Sequence, residues 1–184
     1  MPSTTEYRRA VNKAYAMRLR YAPTALVFDP FLPISVSESL QVCKFSTFQH
    51  LCEKAGISMP TVENQAGFTL LQDTSRGTRG IIVYNDAQSL ARQRFTLAHE
   101  LGHIALGHRE DSPENDALAD CFARNLLTPA LYAQRLGLPA RLYPQFFHVS
   151  AAAARLAERH YPEDLAAVWP SIRRRVDAGL SALH

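Results

Sequence analysis

A run of five residues constrains this chain more than any other part of its sequence. Residues 99–103 read His-Glu-Leu-Gly-His. In an α-helix, residues four apart lie on one face, so His99 and His103 present two imidazoles side by side, with Glu100 next to them. Two nitrogen ligands at this spacing suit tetrahedral Zn²⁺, and the neighbouring carboxylate can take a proton from water that the metal activates. The motif therefore predicts a zinc-dependent protease site.

The residues before the motif predict a strand followed by a buried helix. Residues 79–85 form a β-branched run between turn residues, which is typical of a strand. Ser89 is suited to cap a helix that begins at Leu90 and ends near Gly107. Because this helix is rich in apolar residues, its polar motif would be costly to bury unless something such as a metal engaged it. The structural alternative is a helix with two partly exposed histidines and a solvated glutamate.

A zinc site of this kind needs a third protein ligand and keeps one position open for water. Ser112 and Pro113 predict the start of a second helix, on which Asp116 and Asp120 lie four residues apart on one face. One such carboxylate can bind the metal while the other orients an imidazole through its second nitrogen. Alternatively, both are surface acids near a helix N-terminus. His108 would point away from the motif on a continued helix, which predicts a helix-end or substrate-side residue.

Two sequence blocks together resemble a known family. Residues 94–108 read RFTLAHELGHIALGH, and residues 119–129 read ADCFARNLLTP. They resemble the ImmA/IrrE family of zinc metallopeptidases, and the similarity covers roughly residues 67–160. The resemblance implies an α+β, zincin-like fold that is mostly helical, with a small sheet of about three strands beside the HExxH helix.

The resemblance also implies roles for individual residues. It assigns zinc binding to His99 and His103 and makes Glu100 the catalytic acid and base. The third ligand of the family is usually a glutamate, and its position is occupied here by Asp116, with Glu114 as the rival. An aspartate is one methylene shorter, so its helix must approach about 1 Å closer than a glutamate would require.

The resemblance also bears on the residue that orients a ligand histidine and on the substrate. Asp120 stands where the family has Asn or Asp, and we expect it to hold one of the ligand histidines, His99. The resemblance implies site-specific cleavage of another protein, typically a helix-turn-helix transcriptional repressor of a mobile element or stress regulon. The leading alternative is a zinc-binding antirepressor that acts on a regulator without cutting it. Candidates for an oxyanion donor, each with a structural role as the simpler interpretation, are His108, His148, Tyr132 and Tyr143.

The length and composition of the chain limit its domain organisation and its cellular location. With 184 residues, of which 47% are hydrophobic, the chain can bury one good core and a small appended subdomain. We divide it into a metallopeptidase domain at residues 1–130, which includes an N-terminal helix and the small sheet, and a helical C-terminal subdomain at 131–184 that could bind substrate. No apolar run suits a membrane span or a secretion signal, and the 3 cysteines lack metal-pair spacing. We therefore expect a cytoplasmic protein with free thiols and no membrane partner.

The charge distribution offers a third functional hypothesis. The net charge is +3, and basic residues gather near both ends, at 8–20 and 173–175. Such clusters are usually solvated helix faces, so direct nucleic-acid binding is not expected, although a weak basic patch is the alternative. Residues 149–156 could pass for part of a helix-turn-helix, but a serine-capped helix that packs through small residues is the preferred interpretation.

Apolar periodicity, capping residues and prolines predict the other helices and strands. Residues 5–21 show an apolar stripe at four-residue steps, typical of an amphipathic helix. Ser46 is suited to cap a short helix that ends at Lys54, and residues 67–71 and 81–84 predict a hairpin. After Pro129 we expect short helices separated by prolines, Pro162 among them. Their predicted positions are near 130–136, 150–159 and 171–182.

Overall fold

A computed structural model of the protein describes residues 2–58, 66–75, 77–110 and 112–181. Within these residues the fold is α+β and mostly helical, with a small mixed sheet, as the sequence predicts. The helices are α1 (Thr4–Tyr21), α2 (Phe31–Ser35), α3 (Phe45–Lys54), α4 (Leu90–Leu106), α5 (Pro113–Leu127), α6 (Ala130–Arg135), α7 (Tyr143–Phe147), α8 (Ala151–Ala167) and α9 (Pro170–Ser181), with a 3₁₀ turn at Ala140–Leu142. The strands are β1 (Leu40–Lys44), β2 (Gly67–Thr74) and β3 (Gly77–Tyr84).

The sheet has the strand order β1-β3-β2. The predicted hairpin is confirmed: β2 pairs antiparallel with β3, and Gly67 lies opposite Tyr84. On the other side of β3, β1 runs parallel to it, with Leu40 opposite Gly80. The sequence analysis did not locate β1, because this strand is short and half-exposed and lacks a strong apolar alternation. The order leaves β2 at one edge of the sheet.

The predicted serine cap of α3 is wrong. The helix begins at Phe45, and Lys44, the last residue of β1, takes the N-cap position. Ser46 instead donates from its backbone N–H and its hydroxyl to the Asp86 carboxylate, at 3.1 and 2.8 Å. Because β1 leads directly into α3, the serine stands two residues after the N-cap position, and its hydrogen bonds link α3 to the loop after β3.

The helices that carry the motif begin and end as predicted. Ser89 Oγ accepts a hydrogen bond from the backbone N–H of Arg92 at the start of α4, and Gly107 ends the helix in a left-handed conformation with φ 79°. Ser112 caps α5 in the same way, and Pro113 stands in its first turn. Side-chain capping and the glycine stop therefore define both ends of α4 and the start of α5.

The C-terminal helices differ from the prediction at one proline. Helix α8 begins after the predicted Ser150 cap but continues through Pro162 to Ala167, so the predicted end before Pro162 is wrong. Beyond the proline, Asp164 is buried and pairs with Arg124 of α5 at 2.8 Å. This buried pair anchors the end of α8 and offsets the backbone hydrogen bond that the proline cannot make. Helix α9 matches its prediction as far as Ser181, and residue 182 lies outside the described residues.

One hydrophobic core joins the N-terminal, motif-bearing and C-terminal helices. Val11 and Tyr15 of α1 are buried in the same cluster as Phe122 of α5 and Val176 of α9. The predicted free state of the cysteines fits Cys43, Cys52 and Cys121, none of which is in a disulfide. Among the described residues, no helix is both long and apolar enough to cross a membrane.

Candidate active site

A cavity of about 270 Å³ lies between α4, the start of α5 and the edge strand β2. It holds both histidines and the glutamate of the motif. The lining residues are Gly67, Phe68, Thr69, Leu71, His99, Glu100, His103, Ile104, His108, Arg109, Glu110 and Asp116.

The donor atoms at the base of the cavity lie close together. Nε2 of His99 and Nε2 of His103 are 3.0 Å apart, and His103 Nε2 is 3.5 Å from Asp116 Oδ1. All three side chains offer one donor atom within 4.8 Å of the others. The structure thus brings together the three residues that the sequence analysis named as zinc ligands.

These separations can be compared with those of a real zinc site. At ligand distances of 2.0–2.2 Å, two donors on a tetrahedral zinc lie about 3.4 Å apart. The separations of 3.0 and 3.5 Å bracket this value. Two imidazole nitrogens and one carboxylate oxygen also match the donor types of catalytic zinc sites. The residues present therefore fit such an ion.

The shorter aspartate reaches the histidines because α4 and α5 approach closely. A Cβ atom on Gly102 would lie 3.1 Å from the Cα of Ala119, so two small residues face each other where the helices cross. Such a close approach is what the shorter side chain of an aspartate needs to reach the histidines. Glu114, the rival ligand, is exposed on the first turn of α5 and, among the described residues, does not belong to the clustered donor group.

Asp120 contacts His99, as expected from the sequence. Its Oδ1 lies 2.8 Å from His99 Nδ1, the nitrogen that faces away from His103. Burial by itself lowers the pKa of His99, but the hydrogen bond and charge of Asp120, with the charges of Glu100 and Asp116, raise it overall. The carboxylates therefore favour positive charge at this point of the cavity.

His108 lies closer to the motif than a continued helix would place it. Since α4 ends at Gly107 in a left-handed turn, the chain bends back and His108 Nδ1 comes within 3.2 Å of His103 Nδ1. The orientation away from the motif expected for a continued helix is wrong for this reason. The sequence signal for this reversal is Gly107, because a left-handed residue at the helix end redirects the chain that follows it. Burial, followed by the positive charge of Arg9, lowers the pKa of His108.

Glu100 contacts a strand residue that the sequence analysis missed. The hydroxyl of Thr69 on β2 donates to Glu100 Oε2 at 2.6 Å, and Glu100 is buried, with 8% of its surface exposed. The hydrogen bond fixes one carboxylate oxygen against the sheet. No local pattern could have singled out Thr69, because the contact depends on how β2 packs against α4.

The other candidate oxyanion donors lie elsewhere. Tyr132 is fully buried, and its hydroxyl donates to the Pro23 carbonyl at 2.6 Å. Tyr143 is also buried and packs against Phe147. His148 adopts a left-handed conformation with φ 53°, and its carbonyl accepts a hydrogen bond from Arg94. These contacts indicate structural roles.

The cavity continues toward the C-terminal helices. A smaller cavity of about 190 Å³ shares Gly67, His99 and Glu100 with the first, and it is also lined by Arg92 and Phe95. Those last two residues in turn line a groove of about 520 Å³ between the starts of α4 and α8. The remaining groove residues are Gln88, Ser89, Ala91, Leu127, Val149, Ser150, Ala152, Ala153 and Leu156.

The fold and the site define the class of protein, and a family comparison gives the family. A helix with clustered histidine and carboxylate donors, set beside a small mixed sheet, is typical of zincin-like metallopeptidases. Residues 52–161 match the Peptidase_M78 family, described as an IrrE N-terminal-like domain. The chain therefore belongs to this peptidase family, which confirms the resemblance to ImmA/IrrE proteins. A comparison with curated proteins finds no match.

Proposed function

We propose that this protein is a zinc-dependent, site-specific endopeptidase that cleaves a helix-turn-helix transcriptional repressor and so relieves repression. The main support is the geometry of the cavity, where His99, His103 and Asp116 offer donors at zinc-like spacing and Glu100 lies beside them. The same cavity is lined on one side by the edge strand β2. In keeping with a DNA-bound target, the proposed place of action is the cytoplasm.

The proposed mechanism divides the work between the ion and the side chains. Zinc, when held by His99, His103 and Asp116, would polarise the scissile carbonyl and make water more acidic. Glu100 takes a proton from the attacking water and delivers it to the leaving amine. Thr69 donates to one oxygen of Glu100 and so holds the carboxylate against β2.

We further propose that the helices after residue 130 help to hold the substrate. The supporting observation is that the groove between α4 and α8 joins the catalytic cavity through Arg92 and Phe95. The groove is largely apolar, so it suits apolar side chains of a polypeptide. Ala152→Trp should fill the groove from its exposed rim and reduce cleavage of the repressor without loss of zinc. Unchanged cleavage by this variant would count against the groove.

Glu100→Gln tests the function as a whole. The amide keeps the shape of the side chain but cannot accept a proton, so cleavage should fall by about 10²–10⁴-fold while zinc is retained. The natural target to test is a repressor encoded beside the gene for this protein, incubated with the zinc-loaded wild type or variant and analysed by intact mass spectrometry. The wild type should produce one specific cut.

The same pair of proteins separates cleavage from binding. In a reporter strain, Glu100→Gln should fail to relieve repression if cutting is required. If the variant relieves repression as well as the wild type, the protein acts as a zinc-binding antirepressor and the peptidase proposal is wrong. Steeply salt-dependent binding of the purified chain to DNA would instead support the basic surfaces as a nucleic-acid site.

A further inference from the structure

Four side chains form a continuous line through the candidate metal centre: Asp120, His99, His103 and His108. The outer distances are 2.8 Å from Asp120 Oδ1 to His99 Nδ1 and 3.2 Å from His103 Nδ1 to His108 Nδ1. Between them, the two Nε2 atoms lie 3.0 Å apart. Each histidine of the motif thus turns one nitrogen toward the other histidine and its second nitrogen toward an outer partner.

The outer partners matter because of where a neutral imidazole carries its proton. A histidine that binds metal through Nε2 has its hydrogen on Nδ1, and this N–H needs an acceptor that fixes the ring. Asp120 is the acceptor for His99. For His103, Nδ1 of His108 is at hydrogen-bond distance. A neutral His108 with its own hydrogen on Nε2 has a lone pair on Nδ1 and can accept.

Backbone hydrogen bonds also hold His108 next to His103. The backbone N–H of His108 donates to the carbonyl of His103 at 3.0 Å, and Gly107 also donates to that carbonyl, at 3.0 Å. Gly107 has φ 79°, a conformation that glycine adopts without strain. His108 is therefore attached to His103 twice, through its main chain and through its ring.

We propose that His108 is a positioning residue for His103: its ring accepts a hydrogen bond from Nδ1–H of His103 and so directs Nε2 of His103 toward the metal. This inference rests on the proposed function, because it requires that His99 and His103 bind zinc. It also gives the two ligands unequal partners, a charged carboxylate behind His99 and a neutral imidazole behind His103. The charged partner makes His99 the more basic ligand.

Zinc affinity of the purified full chain, measured by competition with a chelator, tests the proposal without any substrate. His108→Ala removes the acceptor and should weaken zinc binding by about 10–100-fold. His108→Asn is the rescue variant, because an asparagine carbonyl oxygen occupies nearly the position of histidine Nδ1, and its affinity should return close to that of the wild type. His50→Ala, on the exposed face of α3, is the matched control and should change nothing.

The outcomes separate this inference from the proposed function. If the wild type binds zinc and His108→Ala binds it equally well, or if His108→Asn is as weak as His108→Ala, the positioning role is wrong. If His108→Ala loses as much affinity as Asp116→Ala, His108 is a ligand and the inference is again wrong. If the wild type itself binds no zinc, the proposed function and this inference both fail. Thermal melting of the metal-free variants shows whether each one is folded.

Discussion

The two walls of the candidate active-site cavity are built in different ways. The helical wall, α4 with the start of α5, carries every donor of the clustered group as well as Glu100. The sheet wall, β2, contributes backbone, apolar side chains and the Thr69 hydroxyl, which reaches Glu100 across 31 residues of sequence. One wall therefore holds the chemical groups, and the other shapes the space in front of them.

This difference implies that metal binding and turnover can be separated by mutation. Changes in the helical wall should affect zinc first, because the donors and the contacts that orient them are on α4, α5 and the turn between them. Changes in the sheet wall should leave zinc in place and affect cleavage, because β2 supplies no donor of the clustered group and contacts Glu100 through Thr69. Four variants, each with a matched control, can break or sharpen this comparison.

Asp116→Ala should have the largest effect, since it removes one of the three proposed zinc ligands from the helical wall. We expect the variant to lose most of its zinc, a larger loss than the 10–100-fold typical of residues that only orient a ligand. Glu114→Ala, two residues earlier on the same turn, is the control and should keep its metal. Metal analysis of both purified proteins measures their zinc content. If Glu114→Ala loses its zinc and Asp116→Ala keeps it, the third ligand is Glu114.

Gly67→Ala should be the most damaging change in the sheet wall. Its new Cβ would lie 2.5 Å from Thr96 Cγ2 and 2.7 Å from the backbone oxygen of Val83, so β2 must shift. We expect a loss of about 3 kcal/mol in the free energy of unfolding and weaker cleavage, with zinc retained.

Gly179→Ala is the matched control for that substitution. Its Cβ would make ordinary contacts at 3.7 Å inside α9, so it should stabilise the fold by about 1 kcal/mol. Chemical denaturation of both variants measures the two free energies. If Gly67→Ala is as stable as the wild type, β2 can shift with no loss in the free energy of unfolding. The idea that the sheet wall has a fixed position would then be wrong.

The helical wall could be predicted from the sequence because its signals are local. The spacing of His99 and His103, the serine caps and the four-residue step from Asp116 to Asp120 all act within one or two helical turns. The position of His108 also depends on a local signal, the glycine before it. The contact of His108 with His103, however, follows only from the path that the chain takes after the left-handed turn. Local spacing therefore indicated the two histidines and the pair of aspartates, the family resemblance selected Asp116 as the third donor, and the contact of His108 was missed.

The sheet wall could be predicted only in outline. The hairpin was visible in the β-branched runs, but β1 was not, and neither the packing of β2 against α4 nor the pairing of Thr69 with Glu100 follows from any sequence spacing. The same limit explains Pro162, where a buried ion pair between Arg124 and Asp164 outweighs a local stop signal. Contacts between distant segments decided each of these features.

Thr69→Val tests the link between the two walls. Valine keeps the shape of threonine but cannot donate to Glu100, so the carboxylate loses its anchor. We expect kcat to fall about tenfold, equivalent to about 1.4 kcal/mol, with KM and zinc content unchanged. Thr69→Ser keeps the hydroxyl and should recover most of the activity. If valine and serine behave alike, packing and not the hydrogen bond explains the contact.

Ser112→Ala should give the smallest effect and refine the picture of the helical wall. Ser112 Oγ accepts from the Asn115 N–H at 3.1 Å, and Ser89 makes the equivalent contact with the Arg92 N–H at 3.4 Å. Loss of either cap should cost about 1 kcal/mol, or about 2–4 °C in melting temperature.

The two caps differ in their distance from the donors. Ser112 fixes the turn of α5 that carries Asp116, whereas Ser89 precedes His99 by almost three turns of α4. Only Ser112→Ala should therefore also weaken zinc binding, because fraying of that turn lets the aspartate move away from the histidines. Equal zinc affinity in both variants would mean that the close packing of Gly102 on Ala119, and not the cap, holds Asp116 in place.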